Sequence, residues 1–430
     1  MSSGSGFRRD GQFYRFAAYG FLKNLRFFEP FIILYFREAG FSFLQIGVLY
    51  SIREVSTVVL EVPTGFIADI GGRKTSMIMS MAAYITSFTT FFLFRSFESA
   101  AGAMVLFAVG EAFRTGTHKA MILEYLRMTD QEEWKPDYYG ATRAASMLGS
   151  ALNALIAAAM VFISGSYRYI FLAAALPCVL NIINLASYPP ALDRDGSRKG
   201  ASRISFRESL HHSMVMLRDA SARLSVLNSA SFDAFFKVLK EYLQPVLRAA
   251  ALSVPLLSAL ADRQRTALLA GGVYFLLFLM ASTASRYSGR MSRRASGVGA
   301  AMNLTWMAAA ATLMVAGISQ YRSMFFVTIS AYLVLYVLQN LRRPLCVSCI
   351  SDRVDSRIMS VGLSVESLTK TLLMAVLAPL CGYGADRLGI GPMIALSAII
   401  MAAIYFPLRL RTTGSGRQDV QPTPGPPPPA

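Results

Sequence analysis

Charged residues are scarce in this sequence. Of its 430 residues, 16% are Asp, Glu, Lys or Arg and 54% are apolar, whereas a typical soluble chain is about 25% charged. The chain has too few charged residues to cover its surface with polar groups, so the composition excludes a water-soluble globular protein. Apolar runs recur instead, each of the about 20 residues that cross a bilayer core of about 30 Å. Clear cases are 75–94, 169–188, 267–285 and 391–406.

Cysteines and catalytic signatures are few as well. Cys178, Cys346, Cys349 and Cys381 all fall in or near apolar segments, so we expect free, buried thiols. Cys346 and Cys349 form a lone CxxC without a second pair, which favours neither a metal site nor a redox site. The sequence has no HExxH, GxSxG or Walker A pattern. We therefore expect no enzyme, no cofactor and no self-contained ATP-driven pump.

The apolar runs lack the two-residue alternation of barrel strands. Only helices and closed barrels satisfy their backbone groups in lipid, so we predict helices. The predicted fold is all-α: a polytopic membrane protein with twelve transmembrane helices in two six-helix pseudo-repeat bundles. The predicted spans 1 to 12 are 13–36, 44–66, 75–95, 101–125, 142–164, 168–188, 226–247, 267–286, 298–318, 323–343, 359–383 and 390–409.

The segments outside these spans divide the chain into five parts. They are a cytoplasmic tail (1–12), an N-terminal bundle (13–188), a cytoplasmic linker (189–225), a C-terminal bundle (226–410) and a disordered Pro-rich tail (411–430). In the linker, Phe206, Leu210, Met214 and Leu217 share one face of a helical wheel. This pattern fits either an amphipathic helix on an anionic membrane surface or an ordinary solvated helix.

The net charge of +17 is unevenly distributed along the chain. If both termini and the linker lie on one side of the membrane, most of the Lys and Arg residues of the loops lie on that side too. The positive-inside rule then makes that side cytoplasmic. Because the positive residues lie mostly in alternate loops, we attribute them to topology and expect no nucleic-acid partner. We expect a multi-pass protein of the bacterial inner (plasma) membrane.

Two short segments indicate an internal repeat. Residues 21–26 and 235–240 share the pattern Phe-x-Lys-x-Leu followed by a basic residue, and a proline comes after each, at Pro30 and Pro245. Two related six-helix halves are an architecture that gives alternating access to a site near the membrane midplane.

The loop between spans 2 and 3 carries the most specific motif. Residues 65–74 read GFIADIGGRK, which resembles the Gly-x-x-x-Asp-x-x-Gly-Arg-Lys signature of the major facilitator superfamily of secondary transporters. The resemblance covers nearly the whole chain, since the number of spans and the central linker also match that family.

The resemblance implies that this loop acts as a gate. Gly65 and Gly72 let the helices turn tightly and approach closely, and in the family Asp69 and Arg73 would form part of a latch that stabilises one facing state. Lys74 completes the signature. The alternative for Arg73 and Lys74 is that they only anchor the topology.

Ionisable residues inside the spans are functional candidates by default, because each costs about 3 kcal/mol to insert. Spans 1, 4, 7 and 10 usually line the cavity in the family that the signature resembles. The candidate substrate-binding residues are Lys23, Arg26, Glu29, Arg114, Lys237, Lys240, Arg342 and Lys370. Alternatively, some charges are local ion pairs at i,i+3 or i,i+4 spacing that neutralise themselves. Those pairs would be Arg26–Glu29, Glu111–Arg114, Lys237–Glu241 and Glu366–Lys370.

Positive charge remains in surplus after such pairing, and a positive cavity favours an anion. Lys23 and Lys240 are the strongest single candidates for contacts with a substrate carboxylate or phosphate. Proton coupling requires a group that binds and releases a proton. The candidates are Glu29, Glu111, His118, Glu241 and Glu366.

We therefore expect a secondary active transporter of a small anionic or zwitterionic solute, coupled to protons as a symporter or antiporter. Its partners are the substrate, a proton or other coupling ion, and the lipid bilayer, and we expect a monomer. The alternatives are a multidrug or lipophilic-compound efflux pump and a non-transporting membrane sensor. Many drug/proton antiporters of the family that the signature resembles carry a Gly-Pro pair in helix five, and span 5 has none, which weakens the efflux alternative.

Overall fold

The computed structural model describes residues 9–193, 218–284, 287–295, 297–351 and 359–410. These ranges contain helices and no strand, so the predicted all-α class is confirmed. The helices are α1 (Gly11–Lys23), α2 (Ile32–Glu38), α3 (Phe43–Gly71), α4 (Arg73–Leu93), α5 (Phe97–Arg114), α6 (Thr117–Met128), α7 (Lys135–Ser164), α8 (Tyr169–Ala186), α9 (Ala220–Leu239), α10 (Leu243–Ser253), α11 (Asp262–Ala284), α12 (Ser288–Arg294), α13 (Val298–Tyr321), α14 (Phe325–Ser351), α15 (Met359–Leu388) and α16 (Ile390–Leu408).

Nine helices of the described ranges are long and apolar enough to cross a membrane. They are α3, α4, α7, α8, α11, α13, α14, α15 and α16, and they correspond to nine of the twelve predicted spans. Spans 1, 4 and 7 are each built from two consecutive helices: α1 with α2, α5 with α6, and α9 with α10. The polytopic helical architecture is therefore confirmed, but the prediction that these three spans are continuous helices is wrong.

Proline explains two of the three breaks. A proline inside a helix lacks an N–H and its ring clashes with the carbonyl four residues earlier. Pro30 lies in the non-helical stretch between α1 and α2, and Pro245 follows a 3-10 turn over Lys240–Tyr242. These are the prolines that follow the two matched segments of the sequence, so both copies of the repeat carry a break at related positions.

The break in span 4 has a different cause. Gly116 separates α5 from α6 and has a φ of +74°, a backbone conformation that side chains with a Cβ rarely adopt. The carbonyl groups at the end of α5 are partly satisfied from within the turn, since the Thr115 hydroxyl donates to the Glu111 carbonyl at 2.9 Å.

The two halves of the chain meet along two pairs of helices. α3 of the N-terminal half packs along α15 of the C-terminal half, and α7 packs along α11. Within each half, α4 contacts α5 and α8, while α13 contacts α14 and α16. The main hydrophobic core extends through both halves, and the broken spans 1, 4 and 7 lie around the space between them.

Parts of the predicted organisation lie outside the described residues. These are most of the linker, at 194–217, the first eight residues, and the Pro-rich tail from 411 onward. The described end of the linker is helical, because α9 begins at Ala220, six residues before the predicted start of span 7 at 226.

Candidate functional site

A cavity of about 380 Å³ lies between the two halves. Residues of α3, α5 and the break in span 1 form one wall, and residues of α9, the 3-10 turn, α11 and α15 form the other. Its charged lining residues are four cations and four carboxylates: Arg26, Arg53, Lys237 and Lys240 with Glu29, Glu54, Glu111 and Glu241. Such a cavity is large enough for a small organic ligand.

Glu111 is the centre of the charged cluster on the N-terminal side. Its carboxylate pairs with Arg26 at 2.5 Å and also with Arg114, and it accepts a hydrogen bond from the Tyr84 hydroxyl at 2.8 Å. Arg26 also lies 3.5 Å from Glu29. The predicted local pairs Arg26–Glu29 and Glu111–Arg114 therefore form, and Arg26 links them into one network. Three partners hold Glu111 in place, which makes it a fixed part of the wall.

Glu241 has the corresponding place on the C-terminal side. It pairs with Lys240 at 3.3 Å, and its other oxygen accepts from Gln244 at 3.1 Å and from the Tyr50 hydroxyl at 3.3 Å. Tyr50 belongs to α3, so Glu241 joins the two halves. The predicted pair Lys237–Glu241 does not form, because the chain tightens into a 3-10 turn at 240 and the i,i+4 geometry of an α-helix is lost.

Arg53 and Glu54 line the cavity although the sequence analysis assigned them no role. They pair with each other at 2.6 Å, and the Arg53 guanidinium lies 4.7 Å from the centre of the Tyr50 ring. Tyr50, Arg53, Glu54 and Thr57 are spaced as one face of α3, and all four line the cavity. This spacing is a signal in the sequence that identifies the cavity face of span 2.

Aromatic residues complete the lining. Tyr274 of α11 and Tyr336 of α14 face the cavity with Tyr50, Phe107 and Phe278. The sequence analysis assigned no aromatic residue to the site, because their spacing does not separate cavity-facing rings from lipid-facing ones.

Several predicted site residues of the N-terminal half lie away from this cavity. Lys23 lines a separate hollow of about 20 Å³ within that half, with Tyr84 and Cys178 among its neighbours. Arg114 lies behind Glu111. His118 stacks on the Tyr19 ring, with the ring centres 3.9 Å apart. The packing of the half-bundle, rather than depth in the membrane, decides these positions.

Three predicted residues of the C-terminal half are also outside the cavity wall. Arg342 is fully buried, and its guanidinium donates to Thr305 at 3.0 Å and to Asn228 and the Met302 carbonyl. Glu366 and Lys370, both on α15, form the predicted i,i+4 pair at 3.7 Å, and Glu366 accepts from the Ser229 hydroxyl of α9 at 3.2 Å.

The signature loop is bound to the end of the N-terminal half. Gly72 separates α3 from α4 with a φ of +91°, and the Asp193 carboxylate accepts from the Lys74 amide at 2.8 Å. The Lys74 ammonium donates to the carbonyl of Ala186, the last residue of α8, at 2.6 Å and to the carbonyl of Tyr188 at 3.2 Å. Lys74 therefore caps a helix within its own half.

The other residues of the signature loop do not test the predicted latch. Arg73 donates its backbone N–H to the Asp193 carbonyl at 3.0 Å. Gly65 lies on the exposed side of α3, and the side chain of Asp69 lies outside what the structure describes. The predicted latch of Asp69 and Arg73 stays a prediction.

Contacts between the halves gather on the side opposite to the chain termini. The Asp386 carboxylate, at the end of α15, accepts from the amides of Phe43 and Leu44 at 2.9 and 2.8 Å and so caps α3. Arg263 of α11 pairs with Glu38 at 3.1 Å and donates to the Gly165 carbonyl at 2.7 Å. These contacts close that side of the molecule.

The fold and the site together define a polytopic, all-α membrane protein whose two halves enclose a charged cavity. The chain belongs to the Major Facilitator Superfamily, whose family model matches residues 16–368. It is also 34% identical over 110 residues to the uncharacterized MFS-type transporter YxaM of Bacillus subtilis (strain 168). That match spans 24% of this chain and 26% of the relative's length. The chain thus belongs to a family of transporters rather than enzymes.

Solved structures show the same fold. A crystal structure of the nucleoside transporter NupG has a TM-score of 0.74 at 10% identity, over 93% of this chain and 98% of that one. A POT family transporter in complex with 5-aminolevulinic acid has a TM-score of 0.70 at 13% identity, over 96% and 98%. A D-xylose-proton symporter has a TM-score of 0.63 at 13% identity, over 91% and 96%.

Proposed function

We propose that the protein is a secondary active transporter that moves a small anionic or zwitterionic solute by alternating access. One observation carries this proposal. A cavity with charged walls lies between two half-bundles that are tied together on the side opposite to the termini. A charged cavity in a membrane is costly, and binding of a charged solute explains why it is there.

The shape of the cavity supports a small, partly apolar solute. Its volume of about 380 Å³ is near the lower end of the range for ligand pockets. The rings of Tyr50, Tyr274 and Tyr336 provide apolar faces together with hydroxyl groups, and the charged pairs provide polar anchors. An efflux pump for large lipophilic compounds is the less favoured alternative, because ionised side chains occupy both walls.

We place proton coupling at Glu241, with Glu29 as the second candidate. Glu241 contacts both halves through Tyr50 and Gln244, so a proton on its carboxylate removes acceptors from contacts that hold the halves together. Glu29 has a side chain that is 46% exposed, and within the described ranges it has one ion pair, at 3.5 Å. Protonation of either residue thereby connects proton binding with the state of the interface.

The closed side, in this proposal, faces away from the cytoplasm. The positive-inside distribution puts the termini and the linker in the cytoplasm, so the cavity would load or unload there. We also propose that the protein works as a monomer in the bacterial inner membrane. Labelling of a cysteine introduced in the exposed α4–α5 loop, at Arg95, by a membrane-impermeant reagent from outside intact cells tests this orientation.

Transport by the purified protein in liposomes tests the function. The wild-type protein is expected to accumulate a solute from a mixture of amino acids, small carboxylates and phosphate monoesters, and only when a pH gradient is imposed. Glu241→Gln is expected to lose gradient-driven accumulation by at least tenfold while it retains exchange of the same solute. A wild-type protein that accumulates nothing contradicts secondary active transport, and accumulation that ignores the pH gradient contradicts proton coupling.

A further inference from the structure

Lys237 differs from the other cations of the cavity in its ion pairing. Arg26 lies within 4.0 Å of Glu29 and Glu111, Arg53 of Glu54, and Lys240 of Glu241. Lys237 lines the same cavity, yet within the described part of the chain it has no carboxylate within this distance.

In the described part of the chain, no carboxylate in direct contact compensates the charge of Lys237. It is on α9, whose C-terminal end is at Leu239, and its side chain is partly buried between the halves. The charged groups around it are the cations Lys370 and Lys240 and the carboxylates Glu54 and Asp233, and in the described part of the chain neither carboxylate lies within 4.0 Å of its ammonium group. An ammonium group in a low-dielectric cavity is costly unless it is paired, so this position lacks one negative group.

We propose that Lys237 binds the anionic group of the substrate and makes the cavity selective for solutes that carry a carboxylate or a phosphate. This proposal rests on the proposed transport function. Lys237 is a better candidate than Lys240, because a substrate that binds Lys240 has to compete with Glu241 at 3.3 Å. It is also better placed than Lys23, which faces a hollow inside the N-terminal half.

The rest of the cavity defines the remainder of the ligand. Tyr50, Tyr274 and Tyr336 line the space together with Lys237, so the anionic group is expected to be attached to an apolar or aromatic body that packs on these rings. With Arg114 counted as a partner of Glu111, each of the four carboxylates of the wall has a paired cation, and Lys237 is the remaining charge. This favours one negative group over two.

The first test needs no ligand. A lysine whose role is to bind a ligand does not contribute to the stability of the protein. Lys237→Gln is therefore expected to unfold in detergent at the same temperature as the wild-type protein or at a higher one. Lys240→Gln is the matched variant, and it is expected to unfold at a lower temperature because it leaves Glu241 without its cation. If Lys237→Gln is destabilised as much as Lys240→Gln, then Lys237 is a structural residue and the proposal is overturned.

The second test uses pairs of probes in a thermal-shift binding assay, in which one member has an anionic group and its partner lacks that group. The pairs are 3-phenylpropionate with 3-phenylpropanamide, phenylalanine with phenylalaninamide, and phenyl phosphate with phenol. At least one anionic member is expected to bind at least tenfold more tightly than its partner, and the carboxylate and phosphate pairs distinguish the two anion classes. Lys237→Gln is expected to lose this preference, Lys237→Arg to keep most of it, and Lys119→Gln, on the exposed face of α6, to leave it unchanged.

The outcomes separate this proposal from the transport proposal. The role of Lys237 is overturned by any of three results: partners without the anionic group that bind as tightly as the members with it, no binding by any member with it, or unchanged binding of these members by Lys237→Gln. A neutral solute that is transported equally by wild type and Lys237→Gln leaves transport standing and overturns the anion anchor. An anion that binds through Lys237 but is never transported by the protein in liposomes overturns the transport proposal alone.

Discussion

Arg342 and Lys237 are both basic residues of the C-terminal half, and their surroundings give them different roles. Arg342 is fully buried, donates to Thr305 and Asn228, and lies 4.3 Å from the centre of the Phe232 ring. Both terminal nitrogens of its guanidinium donate to groups of the protein itself. We therefore interpret Arg342 as a residue that holds α9, α13 and α14 together, although the sequence made it a candidate for substrate binding.

Arg342→Lys is expected to destabilise the protein. Lysine lacks the planar fork that reaches Thr305 and Asn228 together, and each lost hydrogen bond to a charged group costs about 1.5–3 kcal/mol. Thermal unfolding in detergent measures the loss, and Arg343→Lys, on an exposed position next to it, is the control. Equal unfolding temperatures for the two variants would show that the Arg342 contacts add nothing to stability.

At the scale of single residues, the sequence predicted which charges pair locally better than which charges face the cavity. Three of the four predicted pairs form, because i,i+3 and i,i+4 neighbours meet on any α-helix. The pair of Lys237 and Glu241 fails where the helix is no longer an α-helix. Whether Lys23 or Lys237 reaches the cavity depends on how each helix is rotated in its bundle, which the sequence around a lysine does not encode.

The breaks in spans 1 and 7 are connected to each other through Gln244. This side chain of α10 accepts from the Ile33 amide at 2.8 Å and donates to the Glu29 carbonyl at 3.0 Å. Both are backbone groups within three residues of Pro30, in a region where water is scarce and unpaired groups are costly. A side chain from one half thus satisfies the broken backbone of the other.

Gln244→Leu is expected to lower the free energy of unfolding. It leaves the Ile33 amide and the Glu29 carbonyl without partners, at about 1–3 kcal/mol for each group. Gln244→Met is the matched variant, because it keeps a side chain of similar length while it removes the same acceptor and donor, and it is expected to be destabilised to a similar extent. Chemical unfolding in detergent measures both; a leucine variant as stable as the wild type would mean that other groups satisfy the break.

At the scale of elements, apolar pattern predicted where the spans are but not that three of them are interrupted. The apolar character continues through each break, so a window of about 20 residues detects one span. Pro30 and Pro245 were visible in the sequence as parts of the repeat, and Gly116 as one glycine among many. Their effect depends on partners such as Gln244, which belong to distant parts of the chain.

The whole molecule is closed on one side by contacts between the halves, and Asp386 is central to them. Its carboxylate binds the two amides that begin α3, where the helix dipole also attracts negative charge. The contact joins α15 to α3, the helices that pack most extensively across the interface. The sequence analysis assigned this aspartate no role, and the structure shows that its contact spans both halves.

Asp386→Ala is expected to favour separation of the halves on this side. Loss of a helix cap costs about 1 kcal/mol, which changes the ratio of two states about fivefold. Spin labels on cysteines introduced at Arg95 and Tyr321, which are exposed on the two halves, report the distance by pulsed electron resonance. The variant is expected to show more of the longer distance.

The control for this measurement is another aspartate on the same side. Asp262→Ala removes the same charge at the exposed start of α11, and the described contacts of its carboxylate do not join the halves. It is expected to leave the distance distribution unchanged. If both variants shift the distribution equally, the effect comes from charge on that surface rather than from the cap on α3.

The sequence by itself determined that this protein lies in a membrane, that it is helical, which family it belongs to and that its spans contain ionisable residues. These follow from local properties: apolar length, proline and glycine, and the signature of residues 65–74. Only the tertiary structure decided which charges share one cavity and which are consumed by packing, as Lys237 and Arg342 illustrate. The physical reason is that a charge within a membrane has to find its partner across the bundle, and that partner is set by how whole helices are rotated and joined rather than by neighbours in the chain.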